Sequence, residues 1–329
     1  MDKLNQPLVS IVFTSYNHQE YLRQALDSLI NQNYPNLEII IIDDCSTDGS
    51  QEILKQYVHY ENIDLKLQTI NSGSYVKASN YGASFAKGEY LLFAQCDDYA
   101  DSYQIEKLLY YFKENPSVGV VFSKSYLVDM NGRILADDFS GREISFKKTV
   151  KNNGFISGNK MKEFLSFSCV IPNLSAALIK RELFVKNNGL SDQYLVVADW
   201  EFWLDLTNVT DFYYLEEPLN YFRQHETTIR SSIKMKTQII EIYKMFYNHI
   251  SKSKLNSIQK RKLQVGAGAV YFSFFLENKS VWLSIFFPLF KEINKYDKFM
   301  FFHLFLGIKK HFKEYICRFL VKYKFVKYY

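Results

Sequence analysis

No glycine follows the first apolar run of this chain: the stretch TSYNHQEY (14–21) contains none. A dinucleotide-binding turn needs GxGxxG at that place so that backbone can approach a pyrophosphate, which disfavours a dehydrogenase. A nucleotidyltransferase would want a similar phosphate loop. Cysteine is scarce: Cys45, Cys96, Cys169 and Cys317 share no CxxC spacing. That argues against a disulfide framework or a thiolate zinc site and for reduced thiols. Long apolar runs are missing too. VWLSIFFPLF (281–290) and FMFFHLFLGI (299–308) are each 10 residues, whereas a membrane-spanning helix needs roughly 20. The start, MDKLNQPLVSIVF, has an early acid and no small-residue cleavage site, so no signal peptide is expected. Acidic residues are rare in one region only. Residues 230–329 hold 20 Lys+Arg and 5 Asp+Glu, net +15, while residues 1–229 hold 20 and 30, net −10. This asymmetry puts an expected boundary near residue 230.

What is present is apolar and periodic. Of 329 residues, 47% are hydrophobic and 17% aromatic, enough for one large or two ordinary domains at about 150 residues each. PLVSIVFTSYN (7–17) and NLEIIIIDDCSTDGS (36–50) read as buried strands that break into polar loops. Between them, Tyr21, Leu22, Ala25, Leu26, Leu29 and Ile30 have helical spacing, and Pro35 stops that helix. Ser46, Thr47 and Asp48 offer N-caps to a helix in SQEILKQYV. IDLKLQTI and EYLLFAQ add strands, SYVKASNYGASFAKG and YQIEKLLYYFKEN add helices, and VGVVFSKSYLV one more strand. Such alternation predicts an α/β fold with a mainly parallel sheet, whose ligands bind beyond the carboxyl ends of the strands. Residues 130–170 read as loop-rich. NLSAALIKRELFVKNNGL then reads as a strand and a short helix, and VADWEFWLDLTNV as a helix start with Asp199 near its N-terminus, where a carboxylate interacts well with the dipole.

Three polar clusters fall at strand ends: Thr14/Tyr16/Asn17, Asp43/Asp44 and Asp97/Asp98. Adjacent carboxylates repel, and burying them is costly without a compensating cation or donors. Two such pairs on one sheet edge point to a donor-rich ligand or a cation. The bland alternative is that Asp43 and Asp44 only cap the next helix.

Four segments in order, VSIVFTSYNHQEYLRQALDSLINQNYPNLEIIIIDDCSTDGS, ASNYGASFAKGEYLLFAQCDDY, ADWEFWLDL and PLNYFRQH, give residues 1–229 a specific resemblance to family 2 glycosyltransferases of the GT-A fold. The resemblance implies a nucleotide-sugar half at about 1–125 and an acceptor half at about 126–229. It implies that Thr14, Tyr16, Asn17, Asp43 and Asp44 hold the nucleoside of a sugar nucleotide, expected to be UDP-linked. Tyr16 offers a stacking surface, and Asp44 an acceptor for a base N–H. Asp97 and Asp98 correspond to the family's DxD motif, with Asp98 the expected ligand of Mg²⁺ or Mn²⁺ and Asp97 reaching the ribose or sugar. Gln95 departs from the motif, standing where many members carry a further aspartate. That departure motivates an alternative: a catalytically degenerate, GT-A-like binding or scaffold protein. Lys77 is implied to touch phosphate or base from the helix that also carries Asn80; otherwise it is a surface lysine. Arg223 and His225 are implied at the diphosphate and the metal, against a purely structural histidine. Asp199 matches the base that takes the acceptor's proton in inverting transfer. Trp200 and Trp203 are expected to pack or to line the acceptor side. A phospho-acceptor receiver domain also clusters aspartates on a parallel sheet, but the length and the segments around Asp199 and His225 argue against it.

The tail beyond 230 carries 23 of the 56 aromatic residues. In KKHFKEYICRFLVKYKFVKYY aromatics alternate with lysines, as in amphipathic helices lying on an anionic membrane. Nucleic acid would suit the same composition, but a sugar acceptor, saccharide or lipid-linked, favours peripheral contact with the cytoplasmic face of the cell membrane. Packing on the catalytic part or forming a homodimer are the other options. The expected function is synthesis of a bacterial surface polysaccharide, with no nucleic-acid partner.

Overall fold

A computed structural model of the chain describes residues 6–141, 144–150, 152–225, 235–277, 289–309 and 312. The apolar runs become β1 (Val9–Ser15), β2 (Leu37–Asp43), β3 (Ile63–Leu67) and β4 (Tyr90–Gln95), alternating with α1 (Gln19–Ile30), α2 (Ser50–Lys55) and α3 (Tyr75–Ala83). There follow β5 (Tyr99–Ala100), α4 (Gln104–Glu114), β6 (Val118–Val128), β7 (Ile134–Asp137), α5 (Ile144–Thr149), β8 (Gly154–Ile156) and α6 (Gly158–Leu165). Then come β9 (Ala177–Lys180), α7 (Arg181–Lys186), α8 (Ala198–Leu206), β10 (Asp211–Arg223), α9 (Met235–Lys252) and α10 (Ser257–Glu277).

The sheet order is β3-β2-β1-β4-β9-β6-β10-β5, with β7 on β6 and β8 on β10. β1 lies parallel between β2 and β4, with Ser15 opposite Asp43 and Thr14 opposite Gln95. This register lines up the loops after three strands on one edge. Crossover helices cover both faces, which is why these strands read as continuous apolar runs. Ile11 and Phe13 face one core layer with Leu22, Leu26 and Leu108, and Val12 faces the other with Phe93 and Phe122.

The middle of the chain differs from the expectation. Residues 130–170 are not mainly loop: β7, α5, β8 and α6 lie there, too short for periodicity to register. Positions 211–223 form the long strand β10, whose register shifts around Leu215 and Pro218 break the alternation that would announce it. The sheet is mainly parallel, as expected: β3-β2-β1-β4 run parallel, as do β6 and β10, and β9 enters antiparallel between β4 and β6. In addition, Gly49 is the N-cap residue of α2 and makes no side-chain cap bond. Asp48, one residue earlier, accepts from the Ser50 and Gln19 N–H groups at 2.9 and 3.1 Å.

The expected boundary near 230 falls within 226–234, outside the described residues. Beyond it, described residues of the chain share a core with the part before it. Ile239, Ile242, Tyr243 and Phe246 of α9 share one apolar cluster with Met161, Trp200 and Trp203. The Phe246 ring meets Trp200 edge-on at 5.5 Å. Both tryptophans are buried, and Trp200 Nε1 donates to the Leu165 carbonyl at 2.8 Å. Of the two apolar runs, 281–288 lies outside the described residues, as do Cys317 and nearly all of 310–329. The other run is largely helical, over 300–309. No described helix is long and apolar enough to cross a membrane. Among the described residues Cys45, Cys96 and Cys169 form no disulfide.

Candidate active site

A cavity of about 490 Å³ opens where the loops after β1, β2 and β4 meet the start of α8. Thr14, Tyr16, Asp44, Asp97 and Asp199 all line it. Tyr16 is 44% exposed, so its ring is available to a planar ligand. Asp44 is buried, and its carboxylate accepts from Ser72 N–H at 2.9 Å and Ser72 Oγ at 2.8 Å.

Asp43 and Asn17 hold the loops and do not line the cavity. Asp43 is fully buried and accepts from Ser46 N–H (2.9 Å), Ser46 Oγ (2.6 Å) and Gln51 Nε2 (3.0 Å). Asn17 adopts φ +50°, a left-handed conformation that asparagine tolerates. Its Oδ1 accepts from Thr47 N–H at 2.8 Å, and its own N–H donates to Ser46 Oγ at 3.0 Å. Lys77 lies on the exposed face of α3, opposite buried Val76, Ala78 and Ser79. Asn80 clamps Leu190, accepting its N–H at 2.9 Å and donating to its carbonyl at 2.8 Å.

The two adjacent carboxylates point different ways. Asp98 is 4% exposed and turns inward. Its Oδ2 accepts from Asn173 Nδ2 (2.5 Å) and Ser175 Oγ (3.0 Å), and its Oδ1 from Arg223 N–H (3.1 Å). Burial, then the Asp97 charge, pushes its carboxyl well above the ordinary carboxylate range, with the Arg223 N–H, the Ser175 hydroxyl and the Arg223 charge pulling back. Asp97 turns outward to the cavity, and its Oδ2 lies 3.0 Å from His225 Nε2. Arg223 is equally committed to structure. Its guanidinium donates to the carbonyls of Asp97 (2.8 Å), Asp129 (3.0 Å) and Met130 (2.7 Å) and to Gln24 Oε1 (2.7 Å). It also sits over the Tyr21 ring at 4.5 Å. The guanidinium fixes the loop from behind rather than facing a diphosphate.

Sequence reasoning misses His18. Ligand atoms of His18, Asp97 and His225 all lie within 4.8 Å of one another, a group that could hold a metal ion. His18 Nδ1 lies 2.7 Å from the Tyr16 carbonyl. As the donor in that contact it leaves a lone pair on Nε2, the arrangement usual for a metal-ligating histidine. Nε2 is buried and has no hydrogen-bond partner among the described residues. An orphaned buried acceptor beside a carboxylate and a second imidazole fits a divalent cation. The sequence signal was available: His18 takes the N-cap position of α1 without a side-chain cap bond, where Ser, Thr, Asp or Asn is usual.

Asp199 stands in the first turn of α8, half-buried, with its Oδ1 accepting the Trp200 N–H at 2.8 Å.

The family model for glycosyl transferase family 2 matches residues 10–173. An uncharacterized glycosyltransferase of Haemophilus influenzae is 30% identical over 178 residues, 54% of this chain and 67% of that one. The chain belongs to glycosyl transferase family 2. A further relative of this glycosyltransferase is the poly(ribitol-phosphate) beta-glucosyltransferase of Bacillus spizizenii. It is 41% identical over 128 residues, covering 38% of this chain and 20% of the relative. Among solved structures, S. aureus TarS 1-349 in complex with UDP-GlcNAc superposes with a TM-score of 0.62 at 20% identity. The match covers 84% of this glycosyltransferase and 75% of that chain. The fold is therefore GT-A, in agreement with the resemblance read from the sequence.

Proposed function

We propose that this glycosyltransferase moves a sugar from a nucleoside-diphosphate sugar, UDP-linked, to a saccharide or lipid-linked saccharide acceptor with inversion. Its product is a bacterial surface polymer, assembled at the cytoplasmic face of the membrane. The relative named for poly(ribitol-phosphate) supports the polymer class. One observation carries the reading: a single cavity has Tyr16 and Asp44 on one wall, Asp97 beside the two histidines, and Asp199 on the α8 wall. Tyr16 stacks on the base, and Thr14 and Asp44 orient the nucleoside. Asp199 takes the proton of the acceptor hydroxyl as that oxygen attacks the anomeric carbon. The bond from that carbon to the diphosphate breaks with its electron pair left on the diphosphate. Asp97, His18 and His225 would hold the divalent cation, which when bound neutralises the leaving diphosphate. Two imidazoles and one carboxylate suit Mn²⁺ better than Mg²⁺, which prefers an all-oxygen shell. Asp98 keeps the loop in place.

Calorimetric titration of UDP tests this. With Mn²⁺ the wild type binds, and EDTA weakens binding at least tenfold. His18→Ala reduces the Mn²⁺ effect and leaves the metal-free affinity unchanged. UDP binding indifferent to both Mn²⁺ and EDTA would remove the cation from the reading, and no binding of UDP would remove the donor.

A further inference from the structure

Beyond the cavity, an exposed aromatic surface lies on helical residues 300–309. Met300, His303 and Gly307 are buried, and the opposite side carries Phe301, Phe302 and Phe305. With Phe299 just before them, these rings are between 51% and 72% exposed. At 100° per residue, Phe301 and Phe305 lie about 40° apart on one face, with Phe302 beside them. Such a contiguous aromatic patch on a surface marks an interaction site.

Among the described residues, basic side chains border it. Lys298 and Lys309 flank it along the chain, and the Arg261 guanidinium lies 5.6 Å over the Phe302 ring from α10. The nearby acids are committed elsewhere: Asp297 is buried against His303 Nδ1 at 2.8 Å, and Glu292 pairs with Lys295 at 2.9 Å. A second copy of the chain meeting this face through a two-fold axis would bring the same cations together. An anionic lipid surface answers both features, taking the rings below the headgroups and the cations among the phosphates.

The face is also held in a set direction. A Cβ on Gly268 of α10 would lie 2.5 Å from the His303 carbonyl oxygen, and one on Gly307 would press on the backbone at Gly268 and Ala269. The two helices therefore cross with their backbones in contact. At Gly266, α10 also meets the Ser166 carbonyl at the end of α6. This stack runs from the aromatic face to the helices behind the cavity wall.

We infer that the Phe301–Phe305 face of helix 300–309 docks on anionic lipid and so orients the cavity toward an acceptor held at the membrane. The inference rests on the membrane location proposed above and gives it a specific surface. The test is flotation of the full chain with vesicles of phosphatidylcholine, alone or mixed with phosphatidylglycerol. Wild type is expected on the mixed vesicles, weakly on the neutral ones, with binding falling as salt rises. Phe301→Ser/Phe305→Ser should bind roughly tenfold less or weaker. Its melting temperature and UDP titration should match wild type, because both rings are exposed. Equal binding by wild type and variant would overturn the inference, as would equal wild-type binding to neutral and anionic vesicles. So would an absence of vesicle binding with concentration-dependent self-association that the variant abolishes, which assigns the face to a second copy. Failure of the donor reading looks different: UDP binding is lost while the vesicle results stand.

Discussion

Asp199→Asn is expected to lower kcat by about 10³-fold, within the range for loss of a general base, and to leave the affinity for UDP unchanged. Asparagine keeps the shape of the side chain. Its Oδ1 can still accept the Trp200 N–H that Asp199 now accepts, so the start of α8 is undisturbed. What it cannot do is take a proton from the acceptor hydroxyl. The donor wall of the cavity, with Tyr16 and Asp44, comes from other loops. Turnover and binding therefore separate. Steady-state transfer on a donor-sugar panel, beside calorimetry of UDP, reads both. An Asn variant with undiminished turnover would refute Asp199 as the base, and no turnover by wild type on any donor would revive a non-catalytic role for the cavity.

The second expected result contrasts neighbouring residues. Asp98→Ala should destabilise the fold by about 3 kcal/mol or more, because it leaves buried donors on Asn173, Ser175 and Arg223 without their acceptor. In a chain of this size that lowers Tm by roughly 4 °C or more. Asp97→Ala removes a cavity-facing carboxylate whose side chain is 15% exposed and whose partner is His225. Its Tm should fall far less, and the Mn²⁺ enhancement of UDP binding should disappear. Thermal unfolding and calorimetry on both variants decide. A stable Asp98→Ala protein that has lost the Mn²⁺ effect would restore Asp98 as the ligand.

The contrast marks what could be read from the sequence. β1, β2 and β4 are buried on both faces, so their apolar runs and the acids at their ends were legible, and so was the edge on which the cavity opens. The division of labour between Asp97 and Asp98 was not. It is set by Asn173, Ser175 and the end of β10, segments 75 and more residues away. Arg223 shows the same limit: a cation next to a ligand motif reads as a phosphate contact, but its geometry gives its donors to carbonyls and Gln24. Lys77 could have been read more closely, since its neighbours on α3 already assign it to the outer face. For His18 the sequence offered only an unusual residue type at a helix N-cap, which does not name a ligand. Its meaning needs Asp97 and His225, brought close by two other strands.

The contact of Trp200 with Phe246 has a consequence for modular exchange. Trading C-terminal segments between relatives is a simple way to re-address an enzyme to another surface while keeping its chemistry. Here the residue after Asp199 rests on α9, so a donated tail would also bring a new support for the base. Chimaeras joined near 230 would inherit a delivery address and an altered catalytic wall together, unless position 246 and its neighbours were carried over with the recipient.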